Sequence, residues 1–127
     1  METAVEIVKG APALSLDELR PRICQYLAGT DVLRAVVFGS YARGDADEAS
    51  DLDLLLVERT ALPFVERGRR HLQLFRLGLG VDLLIYTPDE YEHLKREGHA
   101  LIERVEREGI TIYAQSESGR AQVARPG

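Results

Sequence analysis

The sequence has few of the features that assign a protein to a class at once. It contains one cysteine, Cys24, so it cannot form an internal disulfide, and a reducing compartment is expected. No apolar run approaches the length that crosses a bilayer. The N-terminus also lacks the basic flank and apolar stretch of a signal peptide. We therefore expect a cytoplasmic protein without a membrane-spanning segment.

An excess of basic charge is also missing. The 21 acidic and 16 basic side chains give a net charge of −5, whereas proteins that coat nucleic acid need the opposite balance. A nucleotide bound together with a divalent cation remains compatible, because the ion reverses the local sign of charge. The rest of the composition is ordinary for a globular protein, with 45% hydrophobic and 29% charged residues in 127 positions. The length suits one domain.

The hydrophobic pattern predicts strands that alternate with helices. A capping-box spacing at Ser15 predicts a helix that extends to Leu27, with Pro21 either bending it or separating a short turn. Further helices are expected to begin at Pro63 and Pro88, the second with a break near Gly98. Strands are predicted over Val32–Phe38, Leu52–Val57, Val81–Tyr86 and Ile110–Tyr113.

This alternation predicts an α/β or α+β fold with a sheet flanked by helices, but it leaves the order and direction of the strands open. We expect the folded domain to span residues 15–113. Residues 1–14 are expected to form a loose lead-in, in which Val5–Val8 could pair briefly, and residues 114–127 a disordered tail.

The middle helix is expected to have one apolar and one basic side. Its apolar side would contain Val65, Leu72 and Phe75. The basic side would be a solvated face, or a contact for phosphates or an acidic partner. Its members are Arg67, Arg69, Arg70 and His71.

Two aspartates, Asp51 and Asp53, open the second predicted strand. Residues two apart on a strand point to the same face, and two adjacent carboxylates repel each other unless a proton or cation lies between them. Hard divalent ions such as Mg²⁺ prefer such oxygen ligands. Asp82 opens the third strand, where a charge is costly unless it is paired or bound to metal. If the two strands are adjacent, the three carboxylates could hold one or two ions; a structural ion pair with an arginine is the alternative for Asp82.

A small, polar segment follows the first predicted strand. Gly39 allows close approach of the backbone, and the amides after it, together with the Ser40 hydroxyl, could donate hydrogen bonds to phosphate oxygens. Arg43 could add a positively charged fork to the same phosphates, or simply be solvated. Tyr41 could stack on a base, but we expect it to face solvent.

Together, these motifs resemble the signature of the minimal nucleotidyltransferases of the polymerase-β-like superfamily. The resemblance covers residues 15–113 and rests on Phe38 to Gly44, a ten-residue gap, and Asp51-x-Asp53. It implies a mixed sheet flanked by helices, which binds ATP and Mg²⁺, with two ions expected, at the edge of the sheet. By resemblance, Asp51, Asp53 and Asp82 would be the catalytic metal ligands. Gly39 and Ser40, with Arg43, would bind the nucleotide.

The resemblance also implies a protein partner. Many members of the family act as antitoxins that transfer AMP to a tyrosine of a helical RNase toxin of the HEPN type. Two alternatives remain open from the sequence: an antitoxin that neutralises its partner by binding without catalysis, and a nucleotidyltransferase for a small molecule. Either a homo-oligomer or a hetero-oligomer is compatible with the sequence, as are different acceptors and bases.

Overall fold

The computed structural model describes residues 12, 14–115 and 121–123, the last three for their backbone only. The helices are α1 (Leu16–Leu27), α2 (Ser40–Arg43), α3 (Pro88–Arg96) and α4 (Ala100–Glu108). The strands are β1 (Val32–Phe38), β2 (Leu52–Glu58), β3 (Val81–Tyr86), β4 (Ile110–Gln115) and β5 (Ala121–Val123). A 3₁₀ segment, Phe64–Arg76, connects β2 to β3.

The strands form one mixed sheet in the order β3-β2-β1-β4-β5. Strands β2 and β3 run parallel, while β1 pairs antiparallel with both β2 and β4, and β5 pairs antiparallel with β4. The predicted mixed sheet with flanking helices is therefore confirmed. The order, which the sequence left open, places β2 between β1 and β3.

Alternation along the central strands builds a separate core on each face of the sheet. Leu52, Leu54 and Leu56 of β2 are fully buried in a cluster that includes α1. Leu55 and Val57 point to the other face and pack with residues of α3 and α4. Both faces of β2 are covered over most of its length, which explains its nearly continuous apolar sequence.

The predicted helix boundaries follow from their capping residues. The Ser15 hydroxyl accepts the Glu18 amide, and the Glu18 carboxylate accepts the Ser15 amide, which confirms the predicted capping box. Pro21 lies inside one continuous helix, so α1 is not preceded by a separate turn. The predicted break near Gly98 is confirmed, because that residue has a φ of 70° between α3 and α4.

The prediction for the middle helix was wrong in both its type and its buried side. Val65, Leu72 and Phe75 are exposed, Val65 to 85%, whereas Arg67 and His71 are buried. A 3₁₀ segment has three residues per turn, and His71 interrupts it with non-helical angles. Residues spaced for an α-helix therefore do not share a face here. Arg67 and His71 are buried, so they are not part of a solvated basic face.

Parts of the predicted tail are strand. Strand β4 continues past Tyr113 to Gln115, and Ala121–Val123 pairs with it as β5. Residues 116–120 and 124–127 lie outside the described residues, as does the expected pairing at Val5–Val8. Within the described part of the chain, no helix combines the length and apolar character needed to cross a membrane.

Candidate active site

The three predicted carboxylates lie at the same end of the neighbouring strands β2 and β3. Asp53 of β2 lies directly opposite Asp82 in the parallel register with β3, and it is paired with Phe38 across β1. Asp51 lies two residues earlier, just before β2 begins. The condition set by the sequence, that the two acidic strands be adjacent, is thus met. Side-chain alternation directs Asp53 to the face of the sheet that carries α3 and α4.

The environment of Asp53 disfavours its charged form. Burial raises the pKa of the Asp53 carboxyl, and the charge of Asp82 and a hydrogen bond between the two carboxyl groups raise it further. Asp51 acts in the same direction, while the Arg104 guanidinium opposes the shift. This is the arrangement in which a proton or a cation is needed to relieve repulsion between carboxylates.

Two glycines allow the backbone to pass close to these carboxylates. A Cβ added to Gly39, which has a φ of 75°, would lie 2.0 Å from Oδ2 of Asp53. A Cβ on Gly80 would lie 2.1 Å from Oδ1 of Asp51. Only glycine fits at these positions without moving the carboxylates. The sequence indicated Gly39, whereas the contact of Gly80 depends on the pairing of β2 with β3.

The segment after β1 forms the single turn α2, which Gly39 precedes and Gly44 ends with a φ of 86°. Ser40 is half-buried at its start. The prediction that Tyr41 faces solvent was wrong, since this side chain is 7% exposed and belongs to the core cluster on the α1 face. Burial and the charge of Asp51 raise the pKa of the Tyr41 phenol. The helical turn directs the Tyr41 side chain into the core, whereas the sequence predicted an exposed position in a polar loop.

The site is bordered by a fourth carboxylate, Glu108, which the sequence did not indicate. Oε2 of Glu108, the last residue of α4, accepts the Gly39 amide at 2.7 Å. The same oxygen lies 3.1 Å from Nε of Arg104 and 3.4 Å from Nη1 of Arg43. The Gly39 hydrogen bond and the two arginines lower the pKa of Glu108. Arg43 also contacts Asp45 at 3.3 Å, so it is not a purely solvated side chain.

The donor set suits a hard divalent cation by its chemistry. Carboxylate oxygens are the ligands such ions prefer. Burial raises the pKa of Asp53, and the neighbouring Asp82 carboxyl raises it further, which is the repulsion that a cation would relieve. Within the described residues, no three carboxylate, imidazole or thiol groups are arranged to hold an ion by themselves. An ion at these carboxylates would need further oxygen ligands from another molecule, and Mg²⁺ at nucleotide sites takes them from phosphate.

Comparison with known proteins identifies the family. The sequence profile described as a nucleotidyltransferase domain matches residues 16–117, which is most of the chain. The chain belongs to this family. It is a nucleotidyltransferase, and the resemblance indicated by its sequence motifs is confirmed for the family and its fold.

Individual relatives agree with the family assignment. MJ0141 of Methanocaldococcus jannaschii, whose name proposes a protein adenylyltransferase, is 35% identical over 80 residues, which cover 62% of this chain and 77% of MJ0141. A solved structure described as a minimal nucleotidyltransferase is 33% identical, with a TM-score of 0.56, and the match covers 77% of this chain and 96% of that one. A structure described as a toxin–antitoxin with AMP-PNP shares the fold at 20% identity and a TM-score of 0.56, over 82% and 78% of the two chains.

Proposed function

We propose that this nucleotidyltransferase, with residues 15–113 as its catalytic unit, transfers AMP from ATP to a hydroxyl group of a protein. The observation that carries the proposal is the direct opposition of Asp53 and Asp82 in register, beside a glycine that admits no side chain. Carboxylates placed this way at a sheet edge suit a cation-bound triphosphate better than they suit a structural ion pair.

In this reaction, the acceptor oxygen attacks the α-phosphorus, the bond from that phosphorus to the bridging oxygen breaks, and pyrophosphate leaves. Asp51, Asp53 and Asp82 would hold Mg²⁺, with two ions expected, and the metal would neutralise the charge of the phosphates. Asp82, which is exposed on the outer strand β3, would accept the proton of the acceptor hydroxyl. Gly39 and Ser40, with Arg43, would orient the phosphates.

The acceptor class is inferred from the relatives together with the site. The name of MJ0141 proposes adenylyl transfer to protein, and one structure with this fold is a toxin–antitoxin with AMP-PNP. The Asp51–Asp53–Asp82 edge lies open, since Asp51 and Asp82 are exposed, which suits a bulky acceptor. We therefore propose that the acceptor is a tyrosine of a partner toxin of the HEPN RNase type, and that the chain acts as its antitoxin.

The test combines purified protein, Mg²⁺ and radiolabelled ATP with a lysate of the source organism. Label on the α-phosphate should appear on a protein band, whereas label on the γ-phosphate should not, because pyrophosphate is the leaving group. Asp53→Asn should reduce labelling at least about 100-fold, since it removes charge that stabilises the transition state. Mass spectrometry of the band would identify the acceptor and the modified side chain.

The controls separate transfer from the alternatives. Glu97→Gln removes an exposed carboxylate at the end of α3, away from the site, and should label like the wild type. Wild-type labelling by Asp53→Asn would contradict the proposed catalytic centre. Absence of any labelled protein, with full inhibition of the partner toxin by an Asp51→Asn, Asp53→Asn double variant, would instead favour an antitoxin that works by binding alone.

A further inference from the structure

Glu108 holds two arginine side chains, Arg43 and Arg104, next to the candidate phosphate site at Gly39. One oxygen of this carboxylate accepts from the Gly39 amide and lies within 3.4 Å of nitrogen atoms from both Arg43 and Arg104. Glu108 is only 17% exposed, and it ends the helix that leads into β4. Because Ile110 pairs with Val37, the sheet register fixes Glu108 beside Gly39. The two guanidinium groups are therefore held at a defined place.

Arg104 of α4 lies beside the end of β1 that pairs with Asp53. Its guanidinium carbon lies 5.5 Å from the centre of the Phe38 ring, and Phe38 is the residue that pairs with Asp53. The guanidinium is also close enough to Asp53 to lower the pKa of that carboxyl. Among the described residues, the only hydrogen bond of the Arg104 side chain is from Nε to Glu108. Its two terminal NH₂ groups thus remain available, and the side chain is 42% exposed.

We propose that Arg104 is a second triphosphate-binding arginine and that Glu108 is the positioning residue that holds it in place. This inference rests on the proposed function and deepens it. The ligand is the β,γ-diphosphate portion of a nucleoside triphosphate, which leaves as pyrophosphate. Arg43 approaches this group from α2, and Arg104 approaches it from α4.

The charge balance of the site supports a second arginine. The α-phosphate must lie near Asp51, Asp53 and Asp82, where a bound cation is needed to offset most of the repulsion. The departing diphosphate gains negative charge as the bond breaks, and a fixed guanidinium nearby stabilises that charge without reorganisation. Arginine also offers several parallel donors to phosphate oxygens, which lysine does not. A guanidinium oriented through Nε alone retains those donors for the ligand.

The test measures nucleotide affinity directly, so it needs no acceptor. Titration calorimetry would compare a non-hydrolysable ATP analogue with AMP, both in Mg²⁺. Arg104→Gln should weaken binding of the analogue about tenfold or more, since hydrogen bonds to charged groups are strong, and should leave AMP affinity unchanged. Arg104→Lys should recover part of the loss. Arg107→Gln, which removes the same charge from the same helix beside Lys95 and Glu106, should bind both ligands like the wild type.

Each other outcome contradicts a distinct part of the proposed role of Arg104 or of the proposed function. An equal loss of affinity for the analogue and for AMP would mean that Arg104 only supports the local structure. Unchanged affinity for both would exclude a phosphate contact, while label transfer by the wild type would still uphold the proposed function. In kinetics, Arg104→Gln should raise the KM for ATP, and an unchanged KM would overturn the inference. A wild-type protein that binds neither ligand would overturn the proposed function and this inference together.

Discussion

Strand β2 carries a carboxylate near each end, Asp53 at the near end where the strand begins and Glu58 at the far end where it stops. The surroundings of these two carboxylates have opposite charge. At the far end, Glu58 is 2% exposed, its Oε1 lies 2.7 Å from Nε2 of His71, and Arg70 lies 3.7 Å from its other oxygen. At the near end, Asp53 faces the carboxyl group of Asp82. One carboxylate has basic partners from the chain itself, whereas the other has a second carboxyl group opposite it in the sheet.

The comparison separates a structural role from a functional one. The other ring nitrogen of His71, Nδ1, is hydrogen-bonded to the Tyr26 hydroxyl at 2.6 Å. Glu58 therefore belongs to a buried network that joins the 3₁₀ segment to α1 and β2. A buried polar network that is fully satisfied fixes the packing around it. Carboxylates that are partly buried and repel each other lower stability instead, and proteins retain them where a ligand supplies the missing positive charge.

The largest expected effect on stability comes from breaking the network at the far end. Glu58→Ala should lower the free energy of unfolding by about 3 kcal/mol, because it leaves the buried His71 without its hydrogen-bond partner and removes one ion-pair partner of Arg70. Asp53→Asn should leave that free energy unchanged or raise it when no metal is present, because it removes repulsion with Asp82. Urea denaturation in a chelating buffer measures both values. A large loss for Asp53→Asn would remove the distinction between the two ends.

A smaller effect is expected from the glycines around α2, which also differ in their surroundings. Gly39→Ala should lower the free energy of unfolding by about 2 kcal/mol, since alanine is strained at a positive φ. Transfer should fall about 100-fold, because the new Cβ would displace the Asp53 carboxylate.

The matched control is Gly44→Ala, which is also at positive φ but has no atom within 4 Å of the added Cβ. It should cost about 1 kcal/mol and leave transfer intact. The two measurements are thermal or urea unfolding and the α-label transfer assay. Equal losses of transfer in both variants would show that backbone strain, and not contact with Asp53, disables the site.

The smallest effect is a pH dependence that has opposite signs at paired and unpaired carboxylates. The bidentate hydrogen bond from Arg67 lowers the pKa of Glu90 in the folded state. The ionised Glu90 therefore stabilises the fold fully above its ordinary pKa of 4.5, and this stabilisation is lost as pH falls through the lowered pKa of the folded state. Glu90→Gln should therefore cost about 1 kcal/mol near neutral pH, as expected for a half-exposed pair, and nothing in strong acid.

Asp53→Asn should change the pH profile in the other direction. The raised pKa of Asp53 means that folding takes up a proton, so the wild type loses stability as pH rises from the ordinary value of 3.8 through the folded value. Relative to the wild type, Asp53→Asn should gain stability over that range. Unfolding curves in chelator across acid pH would measure both variants, and parallel profiles would contradict the assignment of opposite shifts.

Much of the candidate site could be predicted because its residues lie in short, ordered patterns. The spacing of Asp51 and Asp53 at the start of an apolar strand placed both on one face, and Gly39 stood at the end of another strand. The contribution of Glu108 and Arg104 could not be predicted, because nothing local distinguishes this i,i+4 pair from the other charges of α4. Their place depends on how β4 aligns with β1.

The same limit explains the errors in the middle of the chain. A period of 3.6 residues predicted that Val65, Leu72 and Phe75 would be buried, but the segment forms 3₁₀ turns with an interruption at His71. Arg67 could then reach the carbonyl of Ile85 and the carboxylate of Glu90, which offset the cost of burying its charge. Such long-range partners are absent from any local pattern.

The sequence by itself determined strands β1 to β4, the capped helices and the motif of glycine, serine and aspartates, because each depends on residues a few positions apart. Only the tertiary structure decided that Asp82 opposes Asp53, that Gly80 packs against Asp51, and that Glu108 meets Gly39. Those contacts follow from strand order and register, which bring together residues from distant parts of the chain. The physical reason is that local geometry fixes which way a side chain points, whereas sheet pairing fixes what it faces.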